Sequence, residues 1–176
     1  MAEVPKRLHV LQLLSNHLSA SYGFDQNGDP YDMTGKVFRG RTLFGADDPI
    51  PMLSILESST PDIPSYAGNN EASYEGQWRI FLQGWAIDDK QNPTDPAHWL
   101  MAAVQKRLSL VTMKKNDGSG RPQDPTVYMF GGLVADFSFG PGVVRPASEN
   151  PSSRAFFYLP VRIGLAAGVD EPYLSV

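Results

Sequence analysis

WRIFLQGWAIDDKQNPTDPAHWLMAAVQKRLSLV, residues Trp78 to Val111, sets the architecture of this chain. Trp78, Ile80, Leu82 and Ala86 alternate with Phe81, Trp85 and Ile87, which places apolar groups on both faces of one strand. Such a strand is covered twice and belongs in the middle of a sheet. Arg79 and Gln83 interrupt the second face, so only part of it is expected to be covered. Helices are expected over the first face and a neighbouring subunit over the second. Asp88 and Asp89 then end the strand, and Asp95-Pro96 starts a helix, with Asp at the N-cap and Pro at the first helical position. Ala97, Leu100, Met101, Val104, Leu108 and Val111 recur at helical spacing, and Lys106 and Arg107 suit the C-terminal end of the dipole.

Upstream, residues 4–20 (VPKRLHVLQLLSNHLSA) read as an amphipathic helix with Leu8, Leu11, Leu14 and Leu18 on one face and Pro5 in its first turn. DQNGDPYDMTG, residues 25–35, opens like a calcium loop. The match fails where Pro30 stands for the turn glycine and Lys36 for the bidentate Glu, which leaves an Asx-rich turn. Val37 to Phe44 predicts a strand with Arg39 and Arg41 on one side. Met52 to Glu57 predicts a short buried strand. Residues 58–76 have no periodicity and form a long loop carrying Tyr66 and Tyr74 among Ser, Asn and Gly, a composition suited to contact with a partner.

Downstream, residues 114–126 form a second loop rich in breakers. Val127 to Phe139 predicts a strand kinked or bulged at Gly131-Gly132. Ala155 to Ala167 predicts the last strand, with Phe157, Leu159, Val161, Ile163 and Leu165 facing the core. Pro160 cannot donate to a ladder and places that strand at an edge or at a bulge. The class is α+β: one domain over residues 1–176, with a mixed or antiparallel sheet of about five strands packed by two main helices, 4–20 and 96–112.

The composition narrows the function. The net charge of −4, with no basic stripe, argues against specific nucleic-acid binding. No apolar run is long enough to span a bilayer, and no signal-peptide core is present, so a chain made and used without secretion is expected. The absence of cysteine removes disulfides, thiolate zinc sites and a Cys nucleophile. No phosphate loop, G-x-S-x-G elbow or H-x-x-x-H pair occurs. No cofactor or metal is expected. The competing enzymatic reading is a metal-dependent hydrolase built on Asp88, Asp89, Asp95 and His98.

In element order, and in the segments GRTLFGADDPIPMLSILE, AIDDKQNPTDPAHWLMAAVQKRL and SSRAFFYLPVRIGL, the chain resembles the tail terminator (tail completion, minor tail U-like) family of long-tailed bacteriophages. The resemblance covers most of the chain. It implies nothing for the two loops, which make this chain longer than the typical member. It implies a structural virion protein, not an enzyme, that forms a ring (a hexamer) on the end of the tail tube, stops tube growth and presents a surface to the head connector. The expected location is the virion neck, after assembly in the host cytoplasm. A head completion or neck connector protein is the nearest alternative. A ring has heterologous contacts, so each subunit needs two different matching faces. From the residues themselves, the candidate subunit or partner surfaces are Arg39 and Arg41, the loop residues Tyr66, Asn69, Asn70 and Tyr74, Trp85 on the second strand face, and Lys114-Lys115.

Overall fold

The computed structural model describes residues 3–45, 47–59, 77–87, 89–147, 154–165 and 173–175. The central strand is β6 (Gln77–Trp85), reached after β1 (Glu3–Pro5), α1 (Lys6–Leu18), β2 (Ser21–Phe24), β3 (Pro30–Asp32), β4 (Val37–Arg39) and β5 (Met52–Glu57). After it come α2 (Asp95–Ser109), α3 (Met129–Gly132), β7 (Val134–Phe139), β8 (Val143–Arg145), β9 (Phe156–Leu165) and β10 (Tyr173–Ser175). The main sheet has six strands in the order β4-β5-β6-β9-β7, with β8 also paired to β9. Only β4 and β5 run parallel; the other ladders of this sheet are antiparallel. The class is α+β, as the sequence predicts.

Register explains the core. Trp78, Ile80 and Leu82 lie opposite Ile163, Val161 and Leu159, and all six side chains are buried. This is the helix face. α1 contributes Val10, Leu14 and Leu18 to it, and α2 contributes Leu100, Val104 and Leu108. A Cβ at Gly84 would collide with the Phe157 ring and with Leu53, so the absence of a side chain there makes room for Phe157 in this layer. The two helices are tied together by a reciprocal pair. His17 Nε2 donates to the carbonyl of Arg107 at 2.9 Å, and Arg107 Nε donates to the carbonyl of His17 at 2.9 Å. Burial pushes the His17 imidazole below its ordinary pKa of 6.5.

Four local expectations are corrected. The buried stripe of α1 is Val10, Leu14, His17 and Leu18, while Leu8 is exposed and Pro5 precedes the helix as its N-cap. The N-cap of α2 is Thr94, so Asp95 and Pro96 occupy its first turn. Residues 127–133 are a distorted helical turn, and only Val134–Phe139 is extended. Phe130 closes that turn by burying its ring at 5.9 Å from Phe137 and 6.4 Å from His17. Met129 and Phe130 both adopt a φ of 49°, a left-handed conformation that costs on the order of 1–3 kcal/mol per residue. The burial of Phe130 and the bond from Met129 N–H to the Val111 carbonyl (2.9 Å) hold it there. Lastly, β9 is central rather than an edge. Pro160 is tolerated because its nitrogen faces the β7–β8 turn, between the two partners on that side. Its carbonyl there accepts from Gly140 N–H at 2.9 Å, and no ladder donor is needed.

Candidate interface on the second sheet face

The second face carries Arg79, Phe81, Gln83 and Trp85 of β6 opposite Arg162, Pro160, Tyr158 and Phe156 of β9. Its two halves differ. At the Trp85 end the chain covers the face itself. Trp85, Met52 and Phe156 are buried under Phe38, Phe44 and Ile50, with the Phe44 ring 4.1 Å from Trp85. Arg41 fastens this cover. Its guanidinium lies 4.8 Å from both the Phe38 and Phe44 rings, and it donates to the Asp48 carboxylate at 2.7 and 2.8 Å. Ser54 adds a hydroxyl bond of 2.6 Å to the Arg41 carbonyl.

At the Arg79 end an open groove of about 340 Å³ runs between Arg79, Phe81, Ser138, Pro160 and Arg162. Tyr158 and Val143 continue it as exposed apolar surface. Among the described residues Arg162 makes no ion pair.

The sequence-predicted residues fall in three places. Arg39 is exposed at the end of the edge strand β4, but it does not share a face with Arg41. Gly40, at a φ of 69°, ends the strand and turns the chain, which sends Arg41 to the Trp85 side. Trp85 is 1% exposed and sits inside its own chain. Arg41 and Trp85 therefore meet through Phe44, as cover and core. Lys114 and Lys115 are exposed on a separate turn after α2, where Lys114 Nζ stands 6.0 Å from the Tyr128 ring and Lys115 N–H donates to the Arg121 carbonyl. Tyr66, Asn69, Asn70 and Tyr74 lie outside the described residues. Arg162, Phe81, Pro160 and Ser138 were missed. Their one sequence signal was the pair of arginines breaking two apolar alternations, and only the β6–β9 register brings those arginines together.

A second concave surface lies at the other end of β6. It measures about 330 Å³ and is lined by Asp25, Asp29, Asp32, Lys36, Ile87 and Pro96, among others. It is the β2–β3 hairpin loop seated beside the start of α2. Asp25 is the turn-maker: its Oδ1 accepts from Asp29 N–H at 2.9 Å and Asn27 N–H at 2.8 Å, and those bonds hold its carboxyl below the usual range. Asp32 does the same for Thr34 at 3.0 Å. Asp29, by contrast, is an exposed residue lining the concavity. Phe24, Ile87 and Trp99 are exposed, at 60%, 57% and 49%. Phe24 precedes Asp25 in the chain, Ile87 lines the concavity, and Trp99 stands one turn after Pro96.

Of the hydrolase candidates, Asp88 lies outside the described residues. Asp89 is occupied as a turn cap, accepting from Asn92 N–H (2.7 Å) and Gln91 N–H (2.8 Å), bonds that also lower its pKa. Asp95 and His98 are exposed in the first turns of α2. Among the described residues no group of three His, Cys, Asp or Glu side chains is placed to hold a metal, and no helix is long and apolar enough to cross a membrane. No protein-family model matches the chain, and a search of curated proteins finds no match.

Proposed function

We propose that this chain is the subunit of a ring that ends and caps a phage tail tube and joins it to the head connector, working in the virion by surface fit and without bond chemistry. The observation that supports this most is the unequal cover of the sheet. The helix face is covered by α1 and α2, while on the second face the described residues cover one half, where Phe38, Phe44 and Ile50 pack over Trp85. What stays open among the described residues is not a purely polar strand surface. It combines Phe81, Tyr158, Val143 and Pro160 with two arginines, the aromatic and Arg mixture typical of protein interfaces. The tail-terminator resemblance of the DPIPMLSILE and NPTDPAH segments supports reading that assembly as a tail ring.

The test adds purified protein to tail tubes assembled without heads and images them by negative stain. The reading expects one ring per tube end and tubes of arrested length. Subunits found only on filled heads would favour the neck connector reading instead.

A further inference from the structure

Resting on that ring reading, we infer that the Arg162 groove of one subunit receives the Asp29 hairpin of the next copy, so that the ring closes through charged, aromatic-flanked contacts. A cyclic assembly needs two unlike, complementary patches on one chain. This chain has such a pair at opposite ends of β6. The groove lies at Arg79, and the Asp29 concavity lies at Ile87, more than about 20 Å away at strand rise. Two patches so separated cannot meet within one subunit, but they meet readily between neighbours.

The chemistry of the patches matches. Arg162 is the cation the groove offers, exposed on β9 directly across from Arg79. A carboxylate brought to Arg162 there meets an opposite charge. Asp136 is the one acid on the same face of β7, and among the described residues it makes no ion pair with Arg162. On the other patch, Asp29 is exposed in a turn closed by Asp25, which accepts from the Asp29 backbone N–H and so holds the loop in shape without using the Asp29 carboxylate. Lys36 lines the same concavity, and its charge acts on Asp32. Apolar surface lines both concavities: Phe81, Phe139 and Pro160 share the groove with Arg162, and Ile87, Pro30 and Pro96 share the other with Asp29. Burying such rims excludes water from the charge pair and strengthens it.

The experiment uses Arg162→Glu and Asp29→Arg in the full chain, sized by light scattering alone and as an equimolar mixture. Each variant alone places like charges at every contact and should weaken assembly by at least about 30-fold. The mixture should restore it through an alternating ring. There the altered groove of each Arg162→Glu subunit meets the altered hairpin of an Asp29→Arg subunit, with the charges exchanged. The next contact pairs an unaltered groove with an unaltered hairpin. Rescue of this kind excludes misfolding of either variant as the cause. If Arg162→Glu alone assembles like the unaltered chain, or the mixture fails to recover, this interface is wrong while the ring stands. If the unaltered chain does not self-associate at any concentration, with or without tubes, the ring reading fails first and takes the interface with it.

Discussion

The two faces of the central sheet share strands and ladders, yet they are closed in different ways. On the helix face Trp78, Ile80 and Leu82 of β6 meet apolar partners on β9 under the two helices, and all of these side chains are buried. On the second face the cover given by the described residues lies at the Trp85 end, and the strands continue as an aromatic surface with arginines. Hydrophobic alternation sets how much apolar surface a strand has on each side. It does not say whether the same chain covers it, and here the described residues cover the two faces unequally.

Two neighbours on β6 put this contrast to its hardest test. Leu82→Ala, on the sealed face, should lower stability by about 2–5 kcal/mol in urea unfolding of the isolated subunit. Phe81→Ala, on the open face, should cost that subunit no more than about 1 kcal/mol and show its main effect in assembly. Equal losses in the subunit would mean the faces are equally packed. Gly84→Ala tests how tightly the sealed side is filled. The added methyl meets Phe157 and Leu53 and should cost about 1–3 kcal/mol by the same measurement.

Arg41→Met probes the boundary between the halves. It keeps an apolar side chain over Phe38 and Phe44 but removes the pair with Asp48, for a loss of about 1 kcal/mol after allowing for an Arg41 side chain that is 39% exposed. In a Trp78→Phe, Trp99→Phe background, the emission of Trp85 should shift to the red as the cover loosens. An unshifted spectrum would mean Arg41 does not hold it.

The smallest effect is a slope. His17 is buried on the helix side with its pKa depressed below 6.5. The unfolded chain therefore binds the proton first, so the contribution of neutral His17 is complete above about pH 6.5 and declines as the pH falls toward the lowered folded value. His17→Gln retains a donor for the Arg107 carbonyl and cannot titrate. It should flatten the stability profile below about pH 6.5, and an unchanged slope would remove His17 as its source.

The β6–α2 unit and β9 were legible because their signals are local. Period-two alternation fixed which of Trp78 to Ala86 and Phe157 to Ile163 face the core, and helical spacing fixed Leu100, Val104 and Leu108. What was not legible depended on residues distant in sequence. The covering of Trp85 by Phe44 needs the Gly40 turn, which breaks the apparent strand through Arg41. The turn at 129–132 overrides an apolar run that reads as extended, because Phe130 is captured by His17 and Phe137. Pro160 signalled an edge or a bulge, yet a central strand accommodates it where its two partners on one side hand over. The Arg162 groove was invisible for the same reason, since its members come from β6, β7 and β9.

Whether the open half of the sheet serves assembly is decided by the mass of the native particle. Light scattering or native mass spectrometry, with tail tubes present and absent, should find a discrete ring of six 19.3 kDa subunits that Arg162→Glu dissociates. A particle that stays at 19.3 kDa under every condition would contradict the ring, and the open half of the sheet would then need another explanation.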